Sequence, residues 1–316
     1  MIDIVKKNIK VSVCVVTYNQ EAYIGRCLQS LVDQKCDFNF EIIVGDDCST
    51  DGTSRIVKEY ADQYPEIIRF TIHSKNIGAS NNFIFVHEQA MGVYVAHMDG
   101  DDYALPNKLK HQEIFLDNHP ECSMVFHRCK SLLTDGSIVA STKNVKITKI
   151  CNFAEFIYRY PSSSWHSSKM HRRSANYKND RGDICLLDKH IHFEHGLSGL
   201  VGFLNEDLGV YRVGVGVSSN IYSVQDLALA SYDYAVQLGY DEKLIKKIIA
   251  REYFEQGLRA IQLEDFTSFK ENVRIGFESG YKTSNASLAY HLREYPRLYI
   301  FVRNGVRWFL NKFVRQ

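Results

Sequence analysis

The first hundred residues alternate between short apolar, β-branched runs and longer stretches in which apolar residues recur at helical spacing. The apolar runs predict four strands, at 11–16, 40–45, 67–72 and 93–98. The helical spacing predicts helices between them, at 21–33, around 56–61 and at 81–90. Because strands and helices alternate, we predict an α/β fold with a doubly wound, mostly parallel sheet covered by helices on both faces.

Polar clusters follow three of these predicted strands, at 17–19, 46–51 and 99–102. In doubly wound sheets, ligands bind at the carboxyl ends of the strands, near the point where the strand order reverses. One such cluster could arise by chance, but three clusters on one edge predict a binding site.

The third cluster places Asp99, Asp101 and Asp102 within four residues. Carboxylates this close repel one another, and a divalent cation bound through carboxylate and phosphate oxygens relieves that repulsion. An acidic surface turn is the alternative interpretation. The position of the cluster directly after a buried strand, on the same edge as the other two, favours the cation site.

The composition narrows the class of protein. The chain has 316 residues, of which 45% are hydrophobic, and its 38 Lys and Arg residues balance 37 Asp and Glu residues. Disordered chains are less apolar, and nucleic-acid-binding proteins usually carry a basic excess, so we expect a globular protein with no nucleic-acid partner. No apolar run reaches the length of a signal peptide or a membrane span, which predicts a cytoplasmic protein.

Several stretches carry a family resemblance, namely 13–19, 42–53, 76–78, 98–102 and 106–109. Their order and spacing resemble the inverting glycosyltransferases of family 2, which have the GT-A fold. The resemblance covers roughly residues 10–130 and continues more weakly to about residue 213. It implies a catalytic domain over 1–220, with a nucleotide-binding half and an acceptor-binding half.

The resemblance also implies site residues. The residues that would line the nucleotide pocket are Thr17, Tyr18, Asn19 and Glu21. Asp46 would meet the base and Asp99 the ribose of a nucleotide-sugar donor, usually a UDP-sugar. Asp101, in the Asp-x-Asp motif, would bind the Mn²⁺ or Mg²⁺ that bridges the donor's diphosphate. The implied reaction transfers the sugar to a saccharide or lipid-linked saccharide in surface polysaccharide biosynthesis.

The catalytic base implied by the resemblance is Asp183, which opens a predicted helix before the Tyr211-Arg212 pair. A helix N-cap is the alternative role for Asp183, and Asp180 and Asp188 are weaker candidates for the base. Trp165 could stack on an acceptor sugar or belong to the core. Many relatives carry a His shortly after the Tyr-Arg pair, where this chain has Val213-Gly214.

The remaining region, 221–316, has a helical pattern and ends with a basic tail. After Glu294 there are no acidic residues, and the basic residues are Arg297, Arg303, Arg307, Lys312 and Arg315. The spacing predicts an amphipathic helix that binds an anionic surface on the inner face of the cell membrane. The alternative is a helix docked on the protein with its charges in solvent.

Two other functions remain open at this point. A nucleotidyltransferase on a similar fold would carry a Gly-rich, Arg-containing loop after the first strand, which residues 17–21 do not provide. A non-catalytic sugar- or nucleotide-binding relative would have no need of the intact Asp99-Gly100-Asp101 motif.

Overall fold

A computed structural model describes residues 8–140, 150–160, 166–175, 188–215 and 221–313 of the chain. For 221–228, 262 and 305–313 it describes the backbone alone. The chain divides into two compact units, Met1–Val224 and Gln225–Gln316.

The first unit contains nine strands and six helices among the described residues. The strands are β1 Ile9–Thr17, β2 Asn39–Asp46, β3 Ile68–Ile72, β4 Tyr94–Asp99, β5 Tyr103–Ala104, β6 Cys122–Leu132, β7 Ile138–Ala140, β8 Met170–Arg172 and β9 Leu200–Arg212. The helices are α1 Ile24–Val32, α2 Thr53–Gln63, α3 Ala79–Glu88, α4 Lys108–Asn118, α5 Phe153–Arg159 and α6 Asp188–Leu197. Short 3-10 turns cover His166–Ser168 and Arg173–Ala175.

The strands form one sheet in the order β3-β2-β1-β4-β8-β6-β9-β5, with β7 paired to β6. Strands β3, β2, β1 and β4 are parallel, which confirms the predicted α/β half. Beyond them, β8 runs antiparallel to both β4 and β6, and β6 is parallel to β9. From β1 the chain continues to β2 on one side and reaches β4 on the other, so the strand order reverses at the carboxyl end of β1.

Burial on both faces explains why β1 is almost continuously apolar. Val13 and Val15 face a core cluster that includes Leu28 of α1, whereas Cys14 packs with Val86 of α3 on the opposite face. Helix α3 packs closely on β2, because a Cβ at Gly45 would lie 2.4 Å from the Val86 side chain. Helices therefore cover both faces of the parallel half, as the alternating pattern predicted.

Helix α3 begins two residues earlier than its apolar pattern predicted. The buried Asp47 carboxylate accepts hydrogen bonds from the amides of Ile77 (2.7 Å) and Gly78 (2.9 Å). Gly78 has a φ of 86°, which favours glycine, and the helix starts at the next residue, Ala79. An acceptor directly after β2 thus fixes the start of a helix that begins 32 residues later in the chain.

The helices of the remaining region are α7 Ile221–Gln237, α8 Glu242–Gln262, α9 Phe266–Glu278, α10 Ser284–His291 and α11 Pro296–Phe313. Side chains cap three of them: Asp241, Asp265 and Thr283 accept amide hydrogen bonds at the starts of α8, α9 and α10. Tyr299 of α11 is buried and stacks on Phe269 of α9. No helix in the described part of the chain combines the length and apolar character needed to cross a membrane.

Candidate active site

The carboxyl ends of three neighbouring strands bring predicted site residues together. Thr17 of β1 pairs in register with Asp46 of β2, and Val16 pairs with Asp99 of β4. The Gly100 amide donates a hydrogen bond to the Val16 carbonyl at 2.9 Å, which keeps the acidic motif against the end of β1. These contacts place Thr17, Asp46 and Asp99 side by side at the point where the strand order reverses.

The loops that follow β1 and β2 bind each other directly. Asn19 adopts a φ of 50°, and its side-chain oxygen accepts the Thr50 amide at 2.8 Å. Glu21 accepts the Gly52 amide at 2.6 Å. Asn19 and Glu21 are two of the four residues predicted to line a nucleotide pocket. Their side chains join the loop after β1 to the loop after β2.

Thr17 and Tyr18 differ sharply in exposure. Thr17 is buried and its hydroxyl donates to Gln20 at 2.8 Å, whereas the next residue, Tyr18, is 46% exposed. A flat aromatic ring in this position offers a stacking surface to a planar group such as a nucleobase. Tyr18 is thus the member of the predicted set whose side chain is free to meet a base.

Asp46 is fully buried and its carboxylate already has several donors. One oxygen accepts the amide of Ser49 at 3.1 Å and its hydroxyl at 2.5 Å, and the other oxygen accepts the Ser54 hydroxyl. In the structure Asp46 shapes the loop between β2 and α2. Because Asp46 is fully buried, a contact between its carboxylate and a base would require the surrounding loop to move.

The acidic motif after β4 concentrates negative charge in a partly buried place. Asp101 is 9% exposed, and burial together with the neighbouring Asp99 charge raises the pKa of its carboxyl to about 6. One oxygen of Asp102 accepts the Arg212 amide at 2.9 Å, and the other is buried without a hydrogen-bond partner among the described residues. Gly100, between Asp99 and Asp101, packs closely on the end of β1, because a Cβ there would lie 2.5 Å from the Gln20 side chain and 3.0 Å from Thr17.

These features fit a hard divalent cation. The donor set consists of carboxylate oxygens, which Mg²⁺ and Mn²⁺ prefer, and the unpartnered Asp102 oxygen together with the raised pKa of Asp101 indicates uncompensated negative charge. Arg212 adds a positive group nearby. Its Nε donates to the Asp101 carbonyl at 3.1 Å, and its guanidinium lies 4.2 Å from the centre of the Tyr23 ring.

A second group of potential ligands consists of His97, Asp99 and His166, whose ligand atoms lie within 4.8 Å of one another. The two imidazole rings stack with their centres 3.8 Å apart and their planes inclined by 20°. A metal ion binds imidazole along a nitrogen lone pair in the ring plane, so an ion in the plane of one ring would lie far outside the plane of the other. The acidic motif is therefore the better cation site.

The 3-10 turn His166–Ser168, which precedes β8, forms hydrogen bonds with Asp99. The Ser167 hydroxyl donates to Asp99 Oδ2 at 2.9 Å and accepts the Asp99 amide at 3.1 Å. The turn is fixed by the buried Lys108, whose ammonium donates to the Ser167 carbonyl at 2.6 Å. Sequence patterns did not identify His97, Ser167 or Arg212 as site residues; Lys108 belongs to a stretch that carried the family resemblance.

Two predicted residues, Asp183 and Trp165, lie outside the described residues, as does the weaker candidate Asp180. The other weak candidate for the base, Asp188, begins α6 and lies 3.0 Å from His166 Nδ1. Asp188 therefore pairs with an imidazole whose ring stacks on that of His97.

Comparison with known proteins places the chain in a family. The model of the family described as Glycosyl transferase family 2 matches residues 12–193. An uncharacterized protein of Mycobacterium tuberculosis is 33% identical over 202 residues, which cover 64% of this chain and 58% of that protein. The poly(ribitol-phosphate) beta-N-acetylglucosaminyltransferase TarS of Staphylococcus aureus is 40% identical over 114 residues, 35% of this chain and 19% of TarS. The chain spans less than two thirds of the length of these relatives.

Solved structures show the same fold. Residues 1–349 of S. aureus TarS, in complex with UDP-GlcNAc, superpose with a TM-score of 0.64 at 20% identity, covering 94% of this chain and 92% of that one. A mannosyltransferase of Pyrobaculum calidifontis, in complex with GDP-Man and Mn²⁺, gives a TM-score of 0.54 at 16% identity, covering 95% and 80%. The predicted GT-A fold is confirmed by these likenesses. Because the family model matches more than half of its length, the chain belongs to glycosyltransferase family 2.

Proposed function

We propose that the protein is a metal-dependent inverting glycosyltransferase that moves a sugar from a UDP-sugar to a saccharide acceptor. The observation that carries this proposal is the placement of Thr17, Asp46 and Asp99 on adjacent strand ends, with Asp101 in the same acidic motif. TarS, which is named for N-acetylglucosaminyl transfer and was crystallised with UDP-GlcNAc, supports a UDP-linked donor. The mannosyltransferase complex with Mn²⁺ supports the metal.

In this proposal the donor lies along the carboxyl edge of β2, β1 and β4. Tyr18 stacks on the base, Asp46 meets its edge, and Asp99 accepts hydrogen bonds from the ribose hydroxyls. Asp101 holds Mn²⁺ or Mg²⁺. When bound, the cation supplies positive charge beside the diphosphate, whose negative charge grows as the sugar departs.

Asp183, which lies outside the described residues, is the proposed base. It accepts the proton of an acceptor hydroxyl while that oxygen forms a bond to the anomeric carbon. The bond between the anomeric carbon and the diphosphate oxygen breaks at the same time, and its electron pair leaves with the nucleoside diphosphate. Attack from the face opposite the leaving group converts an α-linked donor into a β-linked product.

The test is a screen of UDP-, GDP- and dTDP-sugars for hydrolysis or transfer, with and without Mn²⁺. We expect turnover of a UDP-sugar that depends on the metal, with a β-configured product in the NMR spectrum. Asp183→Asn should lower kcat about a hundredfold or more, because the base is lost. Asp62→Asn, an exposed acid of α2, serves as the control and should keep full activity. Turnover of no donor, or an α-configured product, would contradict the proposal.

The described part of α11 exposes apolar side chains beside a basic one. Leu298 and Phe301 are exposed, Phe301 by 77%, and Arg297 is exposed beside them. Apolar side chains next to basic residues suit the boundary between anionic headgroups and acyl chains. We propose peripheral attachment to the inner face of the cell membrane through this helix.

Replacing Leu298 and Phe301 together by serine should weaken binding to phosphatidylglycerol vesicles roughly tenfold or more, because two apolar side chains no longer enter the bilayer. Sedimentation of the full chain with vesicles measures this. Deletion of the helix is less suitable, because it removes the buried Tyr299. Met91→Ser, at an exposed position in the first unit, is the control. Equal sedimentation of the double variant and the wild type would contradict membrane attachment.

A further inference from the structure

A line of buried imidazoles ends on Asp99. His87 Nε2 of α3 lies 3.0 Å from His97 Nδ1 of β4, and His97 Nε2 lies 3.1 Å from Asp99 Oδ1. Both imidazole rings are buried, and His97 is completely so. The line therefore connects a helix on one face of the sheet to a carboxylate at its carboxyl edge.

The partners of each nitrogen fix the direction of the hydrogen bonds. An ionised carboxylate only accepts, so His97 donates from Nε2 and its bare Nδ1 accepts from His87 Nε2. His87 Nδ1 then carries no proton, and it has no hydrogen-bond partner among the described residues. Burial, together with neighbouring imidazoles and Lys169, holds the pKa of both rings well below the usual range, so both are neutral.

The second oxygen of Asp99 is held from another element. Ser167 donates to Oδ2 and accepts the Asp99 amide, and the turn that carries Ser167 is fixed by the ammonium of Lys108. One donor thus reaches each carboxylate oxygen, from β4 and from the 3-10 turn. A carboxylate accepts about four hydrogen bonds. The Asp99 side chain is 35% exposed, so the remaining acceptor sites face the open edge of the site.

We propose that His97 and Ser167 are positioning residues, which fix the Asp99 carboxylate so that its free acceptor sites meet the ribose hydroxyls of the donor. The proposal rests on the proposed function, since it assigns Asp99 to the ribose. A carboxylate that is already fixed loses little rotational freedom when the ribose binds, so its hydrogen bonds contribute more fully to affinity.

The experiment measures binding of UDP, 2′-deoxy-UDP and 3′-deoxy-UDP by calorimetry in the presence of Mn²⁺. The wild type should bind at least one deoxy analogue about tenfold more weakly than UDP, which is the effect of one hydrogen bond to a charged group. His97→Phe and Ser167→Ala should each bind UDP about tenfold more weakly than the wild type does, whereas their affinity for the deoxy analogue should change little. The ratio of the two affinities should therefore fall toward one.

Two further variants separate positioning from packing. His97→Gln restores a donor near the Nε2 position and should recover most of the discrimination. His192→Phe replaces another fully buried imidazole, whose two nitrogens lack hydrogen-bond partners in the described part of the chain, and should leave the ratio at the wild-type value. This control shows what removing a buried imidazole does by itself.

Each outcome has one interpretation. If His97→Phe and Ser167→Ala keep the wild-type ratio of UDP to deoxy-UDP affinity, the positioning role is wrong, although the proposed function stands. If the wild type binds UDP but does not distinguish it from either analogue, the assignment of Asp99 to the ribose is wrong and the positioning role with it. If the wild type binds none of the nucleotides, the proposed UDP-sugar donor is wrong, and the positioning role falls with the proposed function. Should His97→Phe fail to fold, Ser167→Ala gives the same measurement at an independent position.

Discussion

Asp101→Asn is expected to lower kcat/KM for the nucleotide-sugar about a thousandfold at saturating Mn²⁺. The side chain keeps its size but loses the negative charge that would hold the cation beside the diphosphate. Loss of that electrostatic stabilisation raises the free energy of the transition state by several kcal/mol. Initial rates across a Mn²⁺ titration measure both the rate loss and the weaker metal dependence.

Stability measurements distinguish this effect from damage to the fold. Burial and the Asp99 charge raise the pKa of Asp101 to about 6, so its ionised form destabilises the metal-free protein above that pH. The neutral asparagine should therefore leave the free energy of unfolding unchanged or raise it at pH 7. Asp62→Asn should behave like the wild type in both measurements. Full activity of Asp101→Asn, with unchanged metal dependence, would contradict the proposed role.

Lys169→Met is expected to raise the free energy of unfolding by about 2–4 kcal/mol at pH 7. Lys169 is completely buried, and its ammonium has no hydrogen-bond partner within the described residues. Burial lowers its pKa from 10.5 to about 7, against the attraction of Asp188 and Asp99. Methionine has a similar length and no charge to desolvate, so it removes this cost while filling the same space.

The effect of Lys169→Met on the free energy of unfolding should depend on pH. Between pH 7 and 10.5 the unfolded chain binds a proton at Lys169 that the folded protein does not, so the wild type gains stability as the pH rises through this window. The difference between Lys169→Met and the wild type should therefore be largest below pH 7 and shrink toward pH 10.5. Urea unfolding followed by circular dichroism measures it.

The control for this prediction is Lys58→Met, at an exposed position of α2, which should change stability by no more than about 0.5 kcal/mol at any pH. A Lys169→Met protein that is less stable than the wild type would mean that attraction to the two carboxylates exceeds the cost of burying the ammonium. Lys169 would then be a counterion of the site.

The position of the candidate site at the carboxyl ends of the strands could be predicted from the sequence, because the pattern that indicates it is local. A buried strand followed by a polar cluster is visible in a dozen residues, and parallel topology then brings Thr17, Asp46 and Asp99 to one side. The support of Asp99 could not be predicted, since Ser167 is 68 residues away and reaches it only when β8 inserts between β4 and β6. Histidines scattered from position 87 to 195 likewise show no periodicity that indicates their contacts.

The partners of Asn19 and Glu21 could not be predicted from their residue types. Asn19 and Glu21 have the polar character expected of ligand-binding residues, but the structure shows that their side chains bind backbone amides of the neighbouring loop. A side chain suited to hydrogen bonding a nucleotide is equally suited to hydrogen bonding an amide. Only the distance between the two loops, which tertiary structure sets, decides between these partners.

The two loops bind each other in both directions, and this decides which substitutions each loop tolerates. Asn19 and Glu21 contribute side chains, whereas Thr50 and Gly52 contribute main-chain amides, which every residue except proline possesses. Substitution at position 50 can therefore preserve its amide contact, whereas a Cβ at position 52 would lie 2.7 Å from the Glu21 carboxylate oxygen that accepts the Gly52 amide. The reverse bonds depend on side chains of the second loop, because the amides of Asn19 and Glu21 donate to Ser49 Oγ at 2.9 Å and to Asp51 Oδ2 at 3.1 Å. A substitution in either loop can therefore remove a bond between them, so both loops are constrained.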